Sequence, residues 1–217
     1  VQDLSSSLAG DAAGVKEGDY VIDVCGAPGG KSLHIAELLH GTGMVEVRDL
    51  TEKKIALVED NIWRSGFSNI EARVQDATEF DPDAQEKADL LIADLPCSGL
   101  GIIGRKPDIR YNVTEEQTRE LAKLQREILS VVWRYVKPGG TMVFSTCTVD
   151  PAENEENVRW ILSQLPFEPV DLTDRIGDAL AETLLEDTRK KGYVQGCCRA
   201  STRETAFLSL YFRRKEE

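Results

Sequence analysis

Val21-Ile22-Asp23-Val24-Cys25-Gly26-Ala27-Pro28-Gly29-Gly30-Lys31 is an apolar run, a glycine-rich turn and the start of a helical pattern. Such a run reads as a buried parallel strand, and glycine lets the following backbone approach a ligand closely. Open α/β sheets bind ligands at the carboxyl ends of their strands, which makes residues Cys25 to Lys31 a candidate cofactor turn. A Gly-Gly turn alone is equally compatible with a tight connection.

Outward from that stretch, apolar runs bounded by turn residues alternate with segments of helical period. Strands are predicted at 20–25, 44–48, 70–74, 89–93, 141–144, 167–170 and 207–212, and helices at 31–39, 52–65, 115–136 and 153–164. Thr114 is expected to cap the third helix, and Pro138-Gly139-Gly140 to stop it. The pattern predicts an α/β fold: one doubly wound, mostly parallel seven-stranded sheet, in a single domain over residues 1–217.

The 217 residues are 41% hydrophobic and 29% charged, with no run near the roughly 18 apolar residues of a membrane span and no leader-like start. The expectation is a cytoplasmic protein, with a monomer favoured. Among five cysteines there is no Cys-x-x-Cys pair, and only two histidines accompany them, so neither a zinc site nor a disulfide framework is expected. A net charge of −12 argues against a simple nucleic-acid binder. Local charge differs, because Arg105, Lys106 and Arg110 form a compact basic stretch that reads either as a nucleic-acid contact or as a solvated loop.

The second predicted strand ends at Asp49, about 18 residues past Lys31, where an acid can accept ribose hydroxyls. Asp76 follows the third strand, suited to an adenine amino group, and Asp94 ends the fourth. Each could be a helix cap, but capping alone rarely yields three acidic strand ends in order. The turn lacks Gly-x-Gly-x-x-Gly, which disfavours a pyrophosphate cofactor and favours S-adenosylmethionine. The fourth strand leads into Asp94-Leu95-Pro96-Cys97-Ser98-Gly99 and the fifth into Ser145-Thr146-Cys147-Thr148. Neighbouring strands would open both cysteines onto one cleft, although a cysteine is more often a small buried hydrophobe.

These residues carry a resemblance to the RNA 5-methylcytosine methyltransferase family, the RsmB/Fmu/Sun and Nop2 group. Val1-Gln2-Asp3-Leu4-Ser5-Ser6, the turn from Cys25 to Lys31, Asp49, Asp76, the Asp94 to Gly99 and Ser145 to Thr148 motifs, and Arg105-Lys106-Pro107-Asp108 stand in family order. The resemblance implies a Rossmann-like class I fold and methylation of carbon 5 of a cytosine in ribosomal RNA, most like the bacterial 16S enzyme. It implies that Cys147 adds to carbon 6, that Asp94 hydrogen-bonds ring nitrogen 3 and the exocyclic amine, and that Cys97 assists release. DNA cytosine methyltransferases use the Pro-Cys cysteine instead. S-adenosylmethionine is the implied cofactor, held by Cys25, Gly26, Ala27, Pro28, Gly29, Gly30, Lys31, Asp49, Asp76 and Asp94, with RNA on Arg105, Lys106 and Arg110.

Two departures stand out. Bacterial-type members carry an N-terminal RNA-binding region, expected to be missing here. Residues 196–206 are atypical where the family reads Leu-Leu-Pro-Gly and then Asp-Gly-Phe-Phe. Read from its third base, one permissible coding of the segment gives Leu-Leu-Pro-Gly-Ile-His-Glu-Arg-Asp-Gly-Phe. A local frameshift restored near Phe207 is the expectation, with Cys197 and Cys198 incidental and a loop near the active site altered. Gly26, where Ala is common, is expected to matter little. The alternatives are a tRNA cytosine methyltransferase and a catalytically impaired cofactor-binding or ribosome-assembly protein. A redox pair of Cys97 and Cys147 is disfavoured by their spacing.

Overall fold

Five strands assemble in parallel around the apolar run Tyr20–Asp23, with the turns that follow them at one edge of the sheet. The structure is a computed structural model describing residues 4–177, 189–200 and 203–216. Its elements run α1 (Leu4–Asp11), β1 (Tyr20–Asp23), α2 (Gly30–Leu38), β2 (Met44–Asp49), α3 (Glu52–Ser65), β3 (Ile70–Val74), β4 (Ala88–Asp94), α4 (Ile109–Asn112), α5 (Glu115–Val132), β5 (Val136–Thr146), α6 (Glu155–Gln164), β6 (Phe167–Pro169), β7 (Tyr193–Ala200) and β8 (Arg203–Arg214). The sheet order is β3-β2-β1-β4-β5-β8-β6, with β7 pairing β8. Strands β1 to β5 are parallel, and β8 runs antiparallel to β5 and β6. The order reverses at β1/β4, the place where such sheets bind ligands.

Two apolar layers follow from the strand alternation. Val21, Val45 and Val47 meet Ile35 and Leu39 of α2 or its end and Val58 of α3 on one face. On the other, Ile22, Leu91, Ala93 and Phe144 meet Leu129 and Val132 of α5 and Ile161 of α6. No α-helix lies between β3 and β4. There the second face is covered by ions: Arg48, 2% exposed, meets Glu46 at 2.5 Å and Asp81 at 3.1 Å and lies 5.1 Å from the Tyr135 ring centroid.

Thr114 caps α5 as expected, in a capping box with Gln117. The expected stop at Pro138-Gly139-Gly140 needs correction. Helix α5 ends at Val132, residues Trp133–Tyr135 tighten into a 3₁₀ turn, and the Pro-Gly-Gly lies inside β5, where the register to β4 slips between Ala88 and Leu90. Glycine inside a strand marks such an irregularity. Helices α1 and α4 and strand β7 stand outside the predicted elements. β7 makes an eighth strand and pairs the atypical segment, Gly196 to Phe207 and Cys197 to Ala206. Because Leu208 pairs with Thr146, the arm of β8 before it continues past the carboxyl end of β5. The side chains of Cys197 and Cys198 lie outside the described residues.

Candidate active site

The turn after β1 is shaped by Gly29, whose φ of 100° places it in the left-handed region, and whose N–H donates to Gly26 O at 2.6 Å. Asp49 ties the turn to β2: its Oδ2 accepts from Ala27 N at 3.1 Å and its Oδ1 from Leu50 N and Lys54 Nζ. Asp76 accepts at Oδ1 from Thr78 N and Oγ1, at 2.8 and 2.7 Å. A Cβ on Gly26 would lie 2.5 Å from Val47 Cγ1 and 2.8 Å from the Asp23 carboxylate. Exchange to Ala therefore requires the Val47 and Asp23 side chains to shift.

Asp23 is the unexpected member. It is 1% exposed, accepts from Ser32 Oγ at Oδ2, and leaves Oδ1 without a partner among the described residues. Burial, opposed by the Ser32 bond, pushes its carboxyl up to about 7. A buried, underfilled acid against this turn suits a ligand carrying positive charge, as S-adenosylmethionine does and a pyrophosphate does not. The raised value has a consequence for stability: the folded state holds its proton to higher pH than the unfolded state, so the contribution is full below about 4 and is lost as pH rises through about 7. The difference in unfolding free energy between wild type and Asp23→Asn should fall by a few kcal/mol over that window. Urea unfolding from pH 4 to 8 measures it, and a flat difference would refute it.

Asp94, at the end of β4, is gripped from two sides: Lys31 Nζ donates to Oδ2 and Ser145 Oγ to Oδ1, both at 2.6 Å. Burial opposes the Lys31 charge, but Asp94, Asp23 and the Cys147 sulfur outweigh it and hold the ammonium above the usual lysine range. The turn lysine thus also belongs to the neighbourhood of the cysteines.

Cys97 and Cys147 come together, sulfur to sulfur, at 3.2 Å. Cys147 N lies 3.4 Å from Cys97 Sγ, and Gly101 N donates to Cys147 O at 2.9 Å. Donation from the Cys97 thiol pulls Cys147 below the usual thiol range despite burial and Asp94, with Lys31 assisting. Cys97 is pushed up, by that hydrogen bond and by burial. Cys25 is pushed up to about 12, chiefly by burial, and is an inert thiol of the turn.

Arg105, Lys106 and Arg110 are exposed and follow the Cys97 loop in the chain. Their segment is pinned to the Cys97 loop, since Ile109 Cδ1 packs 3.1 Å from the Cβ position of Gly99. Tyr111, 81% exposed in the same helical turn, and the buried Glu153, Asn154 and Gln125 behind the cysteines are not singled out by the strand-end pattern. An aromatic beside clustered Arg and Lys was the legible signal for the first. The others read as helix-terminal or surface polar residues until packing placed them. Among the described residues no cluster of three His, Cys, Asp or Glu could hold a metal, and no helix is long and apolar enough to cross a membrane.

Residues 13–189 match the family model described as 16S rRNA methyltransferase RsmB/F. The probable ribosomal RNA small subunit methyltransferase B of Bacillus subtilis is 41% identical over 171 residues, 78% of this chain and 38% of that protein. The Enterobacter ribosomal RNA small subunit methyltransferase B is 37% identical, over 76% of this chain and 38% of its own length. This chain therefore spans well under half of those relatives. Among solved structures, NSun6 from Pyrococcus horikoshii with SFG superposes with a TM-score of 0.82 at 28% identity, covering 100% of this chain and 53% of that one. A SAM-dependent O-methyltransferase from Thermotoga maritima, at 17% identity and a TM-score of 0.62, over 99% of this chain and 66% of that one, shares the fold. The sheet is that of class I S-adenosylmethionine-dependent methyltransferases, and with most of its length matched, the chain belongs to the 16S rRNA methyltransferase RsmB/F family.

Proposed function

We propose that this chain methylates carbon 5 of a cytosine in small-subunit ribosomal RNA through a transient bond between Cys147 and carbon 6, acting as a cytoplasmic monomer. The observation that carries this reading is the pair of sulfurs 3.2 Å apart at adjacent strand ends, beside the Lys31–Asp94 ion pair. Two thiols with opposite shifts at one ligand edge suit a nucleophile and a proton-bearing partner.

Carbon 5 of cytosine is a poor nucleophile until a thiolate adds to carbon 6 and makes an enamine-like ring. Cys147, drawn toward the thiolate by Cys97, makes that bond. Asp94, oriented by Ser145 and Lys31, accepts from the exocyclic amine and gives nitrogen 3 the proton it needs as sulfur addition places negative charge there. S-adenosylmethionine supplies the electrophilic methyl group. The turn from Cys25 to Lys31 would seat it, with Asp49 accepting the ribose hydroxyls once the exposed Lys54 side chain yields, and Asp76 the adenine amine. A water molecule then takes the carbon 5 proton as base, the electrons of that C–H bond restore the carbon 5–carbon 6 double bond, and Cys147 leaves with the C–S electron pair, Cys97 donating to the departing sulfur. Arg105, Lys106 and Arg110 contact backbone phosphates, and Tyr111 stacks on a base next to the target.

The test is to supply S-adenosylmethionine with 16S ribosomal RNA or tRNA and quantify 5-methylcytosine by mass spectrometry. Modification of a single cytosine in 16S RNA is expected, and product confined to tRNA would redirect the substrate. A second reading, an impaired enzyme, is favoured by the atypical residues 203–206, which lie on the arm of β8 past the carboxyl end of β5 and pair with residues 197–200 of β7. No 5-methylcytosine in either RNA, with cofactor bound, would support it.

A further inference from the structure

Glu153 has no role in the chemistry above, yet it is wholly buried. An acid just before α6 ordinarily points to solvent and serves the helix dipole. This carboxylate faces inward. Its Oε2 accepts from the Ser98 N–H and from Gln125 Nε2, each at 2.9 Å, and its Oε1 from Ser98 Oγ at 2.5 Å. Gln125 Nε2 also donates to Pro96 O at 2.9 Å. Pro96 and Ser98 flank Cys97, so both neighbours of that cysteine are held.

The other cysteine is bracketed in the same way. Ser98 Oγ lies 2.7 Å from Thr148 Oγ1, and Asn154, next to Glu153, accepts from Thr146 Oγ1 at 2.6 Å and donates to Thr148 O at 3.0 Å. Thr146 and Thr148 flank Cys147. The array is anchored from behind by Asn157, which donates to Gln125 Oε1 at 2.7 Å and to Glu153 O at 3.1 Å. Burying a carboxylate costs several kcal/mol unless donors meet it, and a fully satisfied buried network fixes positions closely. Here the satisfied positions are those on either side of each sulfur.

We infer that Glu153 is a positioning residue that sets the separation of the two sulfurs by clamping the Cys97 loop, through Ser98, onto the Cys147 loop. A thiol donates usefully only at short range, so a loop displaced by an ångström weakens the bond from Cys97 to Cys147. The inference rests on the proposed role of Cys147 for its meaning. Its test needs neither RNA nor cofactor, so failure of methyl transfer in the wild type would overturn the function and leave this test standing.

The experiment is the pH dependence of Cys147 alkylation by iodoacetamide on the whole chain, followed by mass spectrometry of the labelled peptide, with thermal melting in parallel. In Glu153→Gln the alkylation midpoint should rise by about one unit, a roughly tenfold lower rate on the acid side. Ser98→Ala should move it the same way, and the double variant should add little to either single change. A purely structural Glu153 would lower the melting temperature and leave the midpoint in place. An unmoved midpoint in both single variants therefore overturns the inference. If Glu153→Gln does not fold, Ser98→Ala decides alone, because it removes one donor and no buried charge.

Discussion

Cys147→Ala is expected to abolish both methylation and covalent RNA adducts, while Cys97→Ala should let an adduct accumulate. The asymmetry follows from the pair's electrostatics. Cys97 keeps its proton and donates it toward Cys147, whose thiolate is further favoured by Lys31. The same donation that prepares the attacking sulfur also stabilises it as a leaving group. Without Cys97 the leaving sulfur loses its donor, so elimination slows and the ring stays on Cys147. Denaturing gels with labelled RNA, together with 5-methylcytosine measurement, distinguish the two variants. Adducts that persist in Cys147→Ala and vanish in Cys97→Ala would reverse the assignment.

The site was legible in the sequence where one residue type has one reason to stand at a strand end. Glycine at 29 is required by a left-handed turn, and acids at 49 and 94 recur at successive carboxyl ends, so their shared edge followed from topology alone. The meeting of Cys97 with Cys147 was legible on the same ground, since β4 and β5 are neighbours. What escaped depends on tertiary partners. Pro138-Gly139-Gly140 has the composition of a helix stop, but pairing with β4 draws it into a strand, as sheet context overrides local preference. β7 escaped because its partner β8 gives it an edge that its own composition does not announce. Asp23 reads as an ordinary strand end until burial leaves one of its oxygens without a partner among the described residues. Glu153 sits in an acidic run, and only the packing of α5 and α6 turns it inward.

Lys31→Met should lower kcat by about 10²- to 10³-fold near neutral pH, the scale of removing one preorganised charge from a reacting site. As a turn residue Lys31 was expected only to help hold the cofactor. Its ammonium instead lies 2.6 Å from Asp94, with its side chain 16% exposed, where charge acts at reduced dielectric. Removing it leaves the Asp94 charge unopposed by Lys31 at Cys147, and like charge pushes a thiol up. The active form is the thiolate, so a raised thiol value loses activity at low pH and regains it as pH rises. The acid limb of kcat/KM should therefore move to higher pH in Lys31→Met, with partial recovery of rate in alkaline buffer. Lys31→Arg should keep the limb near its original position, because the charge remains, while losing rate through the poorer fit of a planar guanidinium. A loss that is uniform across pH, accompanied by weaker S-adenosylmethionine binding, would confine Lys31 to the cofactor and refute its action on the sulfur. Adduct formation in Lys31→Met with unlabelled cofactor omitted separates the two effects directly, since the Cys147 bond to carbon 6 precedes any use of the methyl group.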